Sequence, residues 1–212
     1  MADIRTKKDG VPVATPVEPI KNQEHVLEIA KMLREKSPRD CALFVLGVNI
    51  GLRAGDLSAL RVKDVWNGKA IVPSIRIHEE KTDKFKEFYI NQAAATALKW
   101  YITEYYKDTQ PNDYLFPSRK GGTPIVVQSL HRLVNTWCES VGASGHFGSH
   151  TLRKTFGYHV YMQHYQKNPR ILDLLMNIYN HNSAKDTLQY IGISQDEIKT
   201  VYLDLNLGLD VR

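Results

Sequence analysis

Cysteine is nearly absent. Cys41 and Cys138 are the two in 212 residues, far apart and without metal-like spacing, so neither a disulfide framework nor a thiolate metal centre is expected. The opening MADIRTKKDG contains no apolar stretch of the kind a secretory leader needs, which together with the scarce cysteine points to a reduced, cytoplasmic setting. Long hydrophobic runs are missing too. The longest, 41-CALFVLGVNIGL-52, is too short to span a bilayer and reads as a buried helix, so no membrane partner is expected. Histidine spacing offers little to a metal, because only His146 and His150 stand four apart near one another and no His-Glu-x-x-His occurs. No metal and no cofactor are expected. No internal repeat is visible. The net charge of +5 permits a polyanionic partner without requiring one.

What is present is a chain long enough for one good-sized core, with three organisational zones. Residues 1–20, with Pro12, Pro16 and Pro19, read as a flexible N-terminal segment, and the domain is expected to start near Lys21 and run to residue 205, leaving 206–212 as a tail. Helical periodicity is clear in 22-NQEHVLEIAKMLREK-36 and from Pro38 to the break at Gly51, with a short helix over 54–60. Between 62 and 90 the pattern changes to alternation around Asn67-Gly68 and around a second, charged turn, which predicts a small three-stranded antiparallel sheet. Helices resume at 92–107, 126–141, 151–165, 170–180 and 184–191, and 194-SQDEIKTVYLDLNL-207 reads as one more amphipathic helix. The fold class is therefore mainly α, an α+β arrangement with one small sheet.

Chemistry-bearing residues look ordinary one at a time. Arg53 in 51-GLRAGDL-57 is a helix-end arginine that Asp56 can pair with; Lys81 is one turn lysine near Lys84 and Lys86; Tyr190 suits a half-buried core position. The stretch 149-SHTLRKTFGYHVY-161 is less ordinary, because His150, Arg153 and Lys154 crowd the N-terminal end of an apolar helix. Backbone N–H groups and the macrodipole already make that end positive, so added cations build a seat for a phosphate.

Read in order, GLRxGDL, a hairpin lysine, HxLRKT, His181 and, nine positions on, Tyr190 resemble the tyrosine recombinases, the phage integrase family, over about Ile20 to Leu205. The resemblance implies a helical catalytic domain of the DNA breaking and rejoining type. It implies catalytic roles for Arg53, Lys81, His150, Arg153, His181 and the nucleophile Tyr190, with Asp56 in support and Lys84, Lys86 and Lys154 as DNA contacts. It further implies double-stranded DNA with inverted-repeat sites as partner, a homo-tetramer on that DNA, accessory DNA-bending proteins and a nucleoid-associated location. The chain departs from the usual pattern at 179-YNH-181, where Leu-Gly-His is common, and at a longer 162-MQHYQKNPR-170. With about twenty residues ahead of the domain, it resembles either short fimbrial-switch invertases or a fragment of a longer integrase.

The residue types answer the chemistry independently. A phosphodiester transition state spreads negative charge over its non-bridging oxygens, which two guanidinium forks can hold. A tyrosine hydroxyl titrates near pH 10 and needs a cationic setting or a proton acceptor, from His150 or His181, before it attacks. The leaving 5′-oxygen needs a proton, and Lys81 is the candidate acid. Two alternatives share many of these features: a type IB topoisomerase-like relaxing enzyme and a non-catalytic DNA-binding protein.

Overall fold

The computed structural model describes residues 16–79, 84–193 and Leu203, without the side chains of Glu79 and Lys84. The expected helix over 194–207, the segment 1–15 and Lys81 lie outside the described residues, Leu203 excepted. No helix among the described residues is long and apolar enough to cross a membrane.

The first helices begin where the sequence offers caps. Asn22 accepts a hydrogen bond from the Glu24 N–H at 2.8 Å to open α1 (Gln23–Lys36), and Ser37 with Pro38 opens α2 (Pro38–Ile50). Gly51 ends α2 in the left-handed region at φ 69°, where a Cβ would strike the Phe156 ring at 2.5 Å. The short α3 (Ala54–Ala59) follows, then a 3-10 turn at Val62–Asp64.

The sheet differs from expectation in one respect. Among the described residues it has two strands, β1 (Ser74–Glu79) and β2 (Lys84–Tyr89), antiparallel with Ser74 opposite Tyr89. The segment 62–72 contributes a single bridge, Trp66 to Ile71, rather than a third strand. The physical cause is Asn67, whose Oδ1 accepts from the N–H groups of Lys69 and Ala70 at 3.0 and 2.8 Å, closing a turn too tight for a ladder.

After α4 (Gln92–Trp100) the chain widens into a π-turn at Tyr101–Tyr105 instead of continuing as one α-helix to 107. That wider turn accompanies stacking of Tyr101 on Tyr106 at 5.4 Å, and the Tyr106 hydroxyl donates to the Tyr114 carbonyl at 3.1 Å. The remaining helices are α5 (Val127–Ser140), α6 (Thr151–His164), α7 (Ile171–Tyr179) and α8 (Ala184–Ile191).

Two apolar clusters result. The principal one joins α1 to α5, with Phe44 edge-on to Trp137 at 5.8 Å, and reaches α6 through Leu152. A smaller one of Ile171, Leu175, Tyr179 and Ile191 packs the later part of α6 against α7 and α8. Residues 16–20 are fastened along α6: the Thr151 hydroxyl donates to the Glu18 carbonyl at 2.8 Å, and the Ile20 N–H donates to Thr155 Oγ1 at 2.9 Å.

Candidate active site

α6 is the element around which the site is arranged. His150 stands exposed at its N-cap, while Arg153, in its first turn, is 4% exposed. Burying a guanidinium demands partners. Arg153 Nη1 donates to the Gly51 carbonyl, the guanidinium lies over the Tyr179 ring at 4.5 Å, and the Tyr179 hydroxyl donates to the Arg153 carbonyl at 2.9 Å. The bond to Gly51 has a further consequence, because it brings α6 against the turn that presents Arg53. Arg53 is exposed at the N-cap of α3, and Asp56 follows in that helix's first turn. Its positive charge is felt at Arg153, His181 and Tyr190.

Tyr190 occupies the last turn of α8 and is half-buried. Close packing puts it there: a Cβ on Gly157 would overlap the Tyr179 hydroxyl and meet Ile191 at 2.7 Å, so α6 meets both neighbouring helices where it has no side chain. Burial pushes the Tyr190 phenol above its ordinary 10.0, while the charge of Arg153, its hydrogen bond and then the charge of Arg53 pull the other way. The net direction is upward. The resting phenol therefore carries its proton at neutral pH and needs an acceptor or added stabilisation before attack.

His181 lies in the turn between α7 and α8, and Ser183 rather than His181 caps α8, accepting from the Asp186 N–H at 3.0 Å. The imidazole meets the Tyr190 ring at 5.1 Å and the Tyr179 ring at 5.4 Å. Its Nδ1 is 3.1 Å from Thr187 Oγ1, and that hydroxyl donates its own proton to the Ser183 carbonyl at 3.2 Å. With its proton on the Ser183 carbonyl, the hydroxyl accepts from Nδ1–H, the arrangement that leaves Nε2 as an acceptor. Desolvation holds His181 below 6.5, helped by the Arg153 and Arg53 charges and opposed by Asp186. Partial desolvation, then Arg153 and Lys154, lower His150 in the same direction. Both imidazoles rest neutral at pH 7.

The three lysines assigned to DNA on resemblance sit differently. Lys154 is 9% exposed with Nζ 5.0 Å from the Tyr190 ring centroid, and burial lowers its pKa against the pull of Glu18. Lys86 reaches from β2 to the end of α7, donating to the Asn177 carbonyl and to Asn180 Oδ1 at 2.6 Å. The Lys84 side chain lies outside the described residues.

One feature escaped the sequence reading. A cleft of about 610 Å³ beside the start of α5 is lined by Arg39, Arg119, Lys120 and Arg132 with the hydroxyls of Ser118 and Ser129. Arg39 is held there by Asp40 at 2.6 Å and by the Pro117 carbonyl at 2.6 Å. Next to it Arg132, His131 and Ser149 line a smaller cleft, so the two clefts share Arg132 and the second reaches the residue before His150. The loop 118-SRKGGTP-124 was the available signal, with left-handed Gly121 and Gly122 at φ 73° and 68°.

The profile of the phage integrase family matches residues 21–197. The probable integrase/recombinase YoeC of Bacillus subtilis (strain 168) is 37% identical over 186 residues, covering 88% of this chain and 95% of its own length. Tyrosine recombinase XerC of the same organism is 22% identical over 188 residues, and there the chain spans 59% of the relative's length. Among solved structures, XerA recombinase superposes with a TM-score of 0.68 at 19% identity, covering 91% of this chain and 64% of that one. XerH recombinase bound to palindromic difH substrate gives 0.66 at 18% identity, covering 92% and 55%.

Proposed function

We propose that this chain, which belongs to the phage integrase family of tyrosine recombinases, performs site-specific DNA recombination with Tyr190 as nucleophile. The Tyr190 oxygen attacks the scissile phosphorus, the bond to the 5′-oxygen breaks, and a 3′-phosphotyrosyl link forms. The 5′-oxygen leaves with a proton from Lys81, and a second 5′-hydroxyl reverses the step on a new partner. Because the phosphotyrosyl link keeps the energy of the phosphodiester, rejoining needs no nucleotide. Arg53 and Arg153 hold the charge that grows on the non-bridging oxygens. His181 Nε2, bare in the resting tautomer, accepts the phenolic proton, and His150 faces the phosphate from the helix end.

The observation that carries this reading is the gathering of Arg53, Arg153, His181 and Tyr190 from four separate elements, α3, α6, the α7–α8 turn and α8. The relatives are an integrase/recombinase and a tyrosine recombinase, which favours recombination over simple relaxation. Double-stranded DNA is the partner in this reading, which the XerH recombinase solved on its palindromic difH substrate supports. The cleft of Arg119, Lys120 and Arg132 offers further phosphate contacts. The finer assembly, four subunits on inverted repeats bridged through residues 194–207 with help from DNA-bending proteins, is part of the same proposal, as is residence in the cytoplasm at the nucleoid.

The deciding experiment is a nicked suicide substrate carrying a candidate site, taken from repeats flanking the gene. The wild type is expected to form a covalent protein–DNA adduct, and Tyr190→Phe to form none while binding the same DNA. An adduct at wild-type level in Tyr190→Phe defeats the assignment.

A further inference from the structure

We propose that Lys86 is a positioning residue that holds the α7–α8 turn, and through it sets His181 against Tyr190. Its catalytic consequence rests on the DNA-cleaving reading above.

Lys86 sits in β2 opposite Ile77, and its side chain leaves the hairpin to reach the C-terminal end of α7. There Nζ donates to the Asn177 carbonyl and, at 2.6 Å, to Asn180 Oδ1. A cation is well placed at that end, where helix carbonyls lack intrahelical partners and the dipole is negative. Asn180 is the one non-glycine residue among the described residues with positive φ, at 57°. Its N–H donates to the Asn177 carbonyl at 3.2 Å, and the His181 N–H donates to the Met176 carbonyl at 3.0 Å. These are the two bonds of a Schellman turn, closed here by asparagine instead of glycine.

Lys86 thus grips both a carbonyl inside the turn and the side chain of its left-handed residue. His181 is the next residue along, so the backbone torsions at Asn180 determine where its ring lies. That ring contacts Tyr190 at 5.1 Å. The apolar support of α7 and α8 comes from the smaller cluster, so a tether from the sheet acts on the less supported part of the site. A charge-assisted bond is roughly twice as strong as a neutral one, enough to bias a turn that glycine-free sequence makes costly.

The test uses the full chain with Lys86→Met, Lys86→Arg and Asn180→Gly; glycine keeps the left-handed backbone and removes Oδ1. In the free protein, hydrogen exchange of the Asn180 and His181 amides is expected to quicken about tenfold in Lys86→Met, a readout that holds whatever reaction the protein catalyses. Unchanged exchange overturns the tether. On saturating nicked DNA, single-turnover cleavage by Lys86→Met should fall about tenfold with unchanged affinity, and Lys86→Arg should recover part of it. In a His181→Ala background, the further substitution Lys86→Met should cost nothing more. An equal loss in that background overturns the route through His181. A weaker affinity with a log–log salt slope reduced by about 0.9 makes Lys86 a phosphate contact instead. A lower melting temperature with normal cleavage per folded molecule makes it purely structural. Absence of any adduct from the wild type counts against the DNA-cleaving reading, while the exchange measurement still decides the tether.

Discussion

Arg153 is anchored to the principal core, through Gly51 at the end of α2 and Leu152 beside it, whereas Tyr190 rides on α8, whose buried support comes from Ile171, Leu175, Tyr179 and Ile191. α6 carries the first side of the site and packs against the helices that carry the second. On one side a guanidinium is fixed by the Gly51 carbonyl and by Tyr179, whose ring it covers; on the other a phenol and an imidazole lean on each other above a small cluster. A charge clamp works best when its donors are already in place before charge develops. A nucleophile that must approach, attack and later release benefits from an element that moves at lower free-energy cost, and fewer buried contacts give that.

The largest effect should come from breaking the anchored side. Arg153→Ala is expected to lower cleavage by about 10²–10³-fold, the usual consequence of removing one preorganised donor. It should also lower the melting temperature, because the Gly51 carbonyl loses its partner and the Tyr179 ring its cation. Arg53→Ala should match the catalytic loss with little thermal change, since Arg53 is exposed. Cleavage by Arg153→Ala within tenfold of wild type would show that the clamp is elsewhere.

Next in size is a matched pair of truncations. Leu46→Ala and Leu175→Ala each remove a fully buried leucine, and such changes cost about 2–5 kcal/mol. The first should accelerate hydrogen exchange across the whole domain. The second should accelerate it in α7 and α8 while sparing α2, and reduce adduct formation at temperatures where the protein is still folded. Identical exchange patterns from the two variants would erase the distinction between the clusters.

A smaller effect concerns pH. His150 and His181 are both held below 6.5 by desolvation and neighbouring cations. A depressed histidine binds its proton more readily in the unfolded chain, so its contribution to stability is intact above pH 6.5 and is lost as pH falls from there towards the lowered native values. Cleavage at subsaturating DNA should likewise hold steady down to about pH 6.5 and decline only below it. A decline that begins above pH 7 would mean that at least one of the two imidazoles is not held in the depressed state.

Much of this arrangement was legible in the chain because local chemistry and tertiary structure agree. Asn22, Ser37 with Pro38, and Gly51 mark helix ends with their own side chains or backbone freedom, and Pro169 and Gly192 bracket α7 and α8. Where the two disagree, the reading failed. Asn67-Gly68 has the composition of a hairpin turn, yet the Asn67 side chain captures two backbone N–H groups and stops the ladder at one bridge. The cleft around Arg39, Arg119 and Arg132 was hidden because its cations are up to ninety-three positions apart and only packing gathers them. Lys86 and Lys154 were read as DNA contacts, and nothing in their neighbours' identity announces the contacts that packing adds, a helix end at Asn177 and the Tyr190 ring.

The smallest expected effect probes the tyrosine side alone. Thr187 is fully buried, and its hydroxyl both donates to the Ser183 carbonyl and faces His181 Nδ1. If that pairing fixes the tautomer, Thr187→Val, which keeps the branched shape and removes the oxygen, frees the imidazole to place its proton on Nε2. The acceptor aimed at the phenol is then filled for part of the time. One neutral hydrogen bond is worth about 1 kcal/mol, so cleavage should fall roughly fivefold with DNA affinity unchanged. Thr187→Ser retains the hydroxyl and should retain the rate. Single-turnover cleavage of the nicked substrate by the two variants separates the possibilities: a Val variant as fast as wild type would leave His181 acting by packing on Tyr190 alone. A Ser variant as slow as the Val variant would show that the hydroxyl alone does not sustain the rate, and with it remove the argument that Nε2 is the proton acceptor.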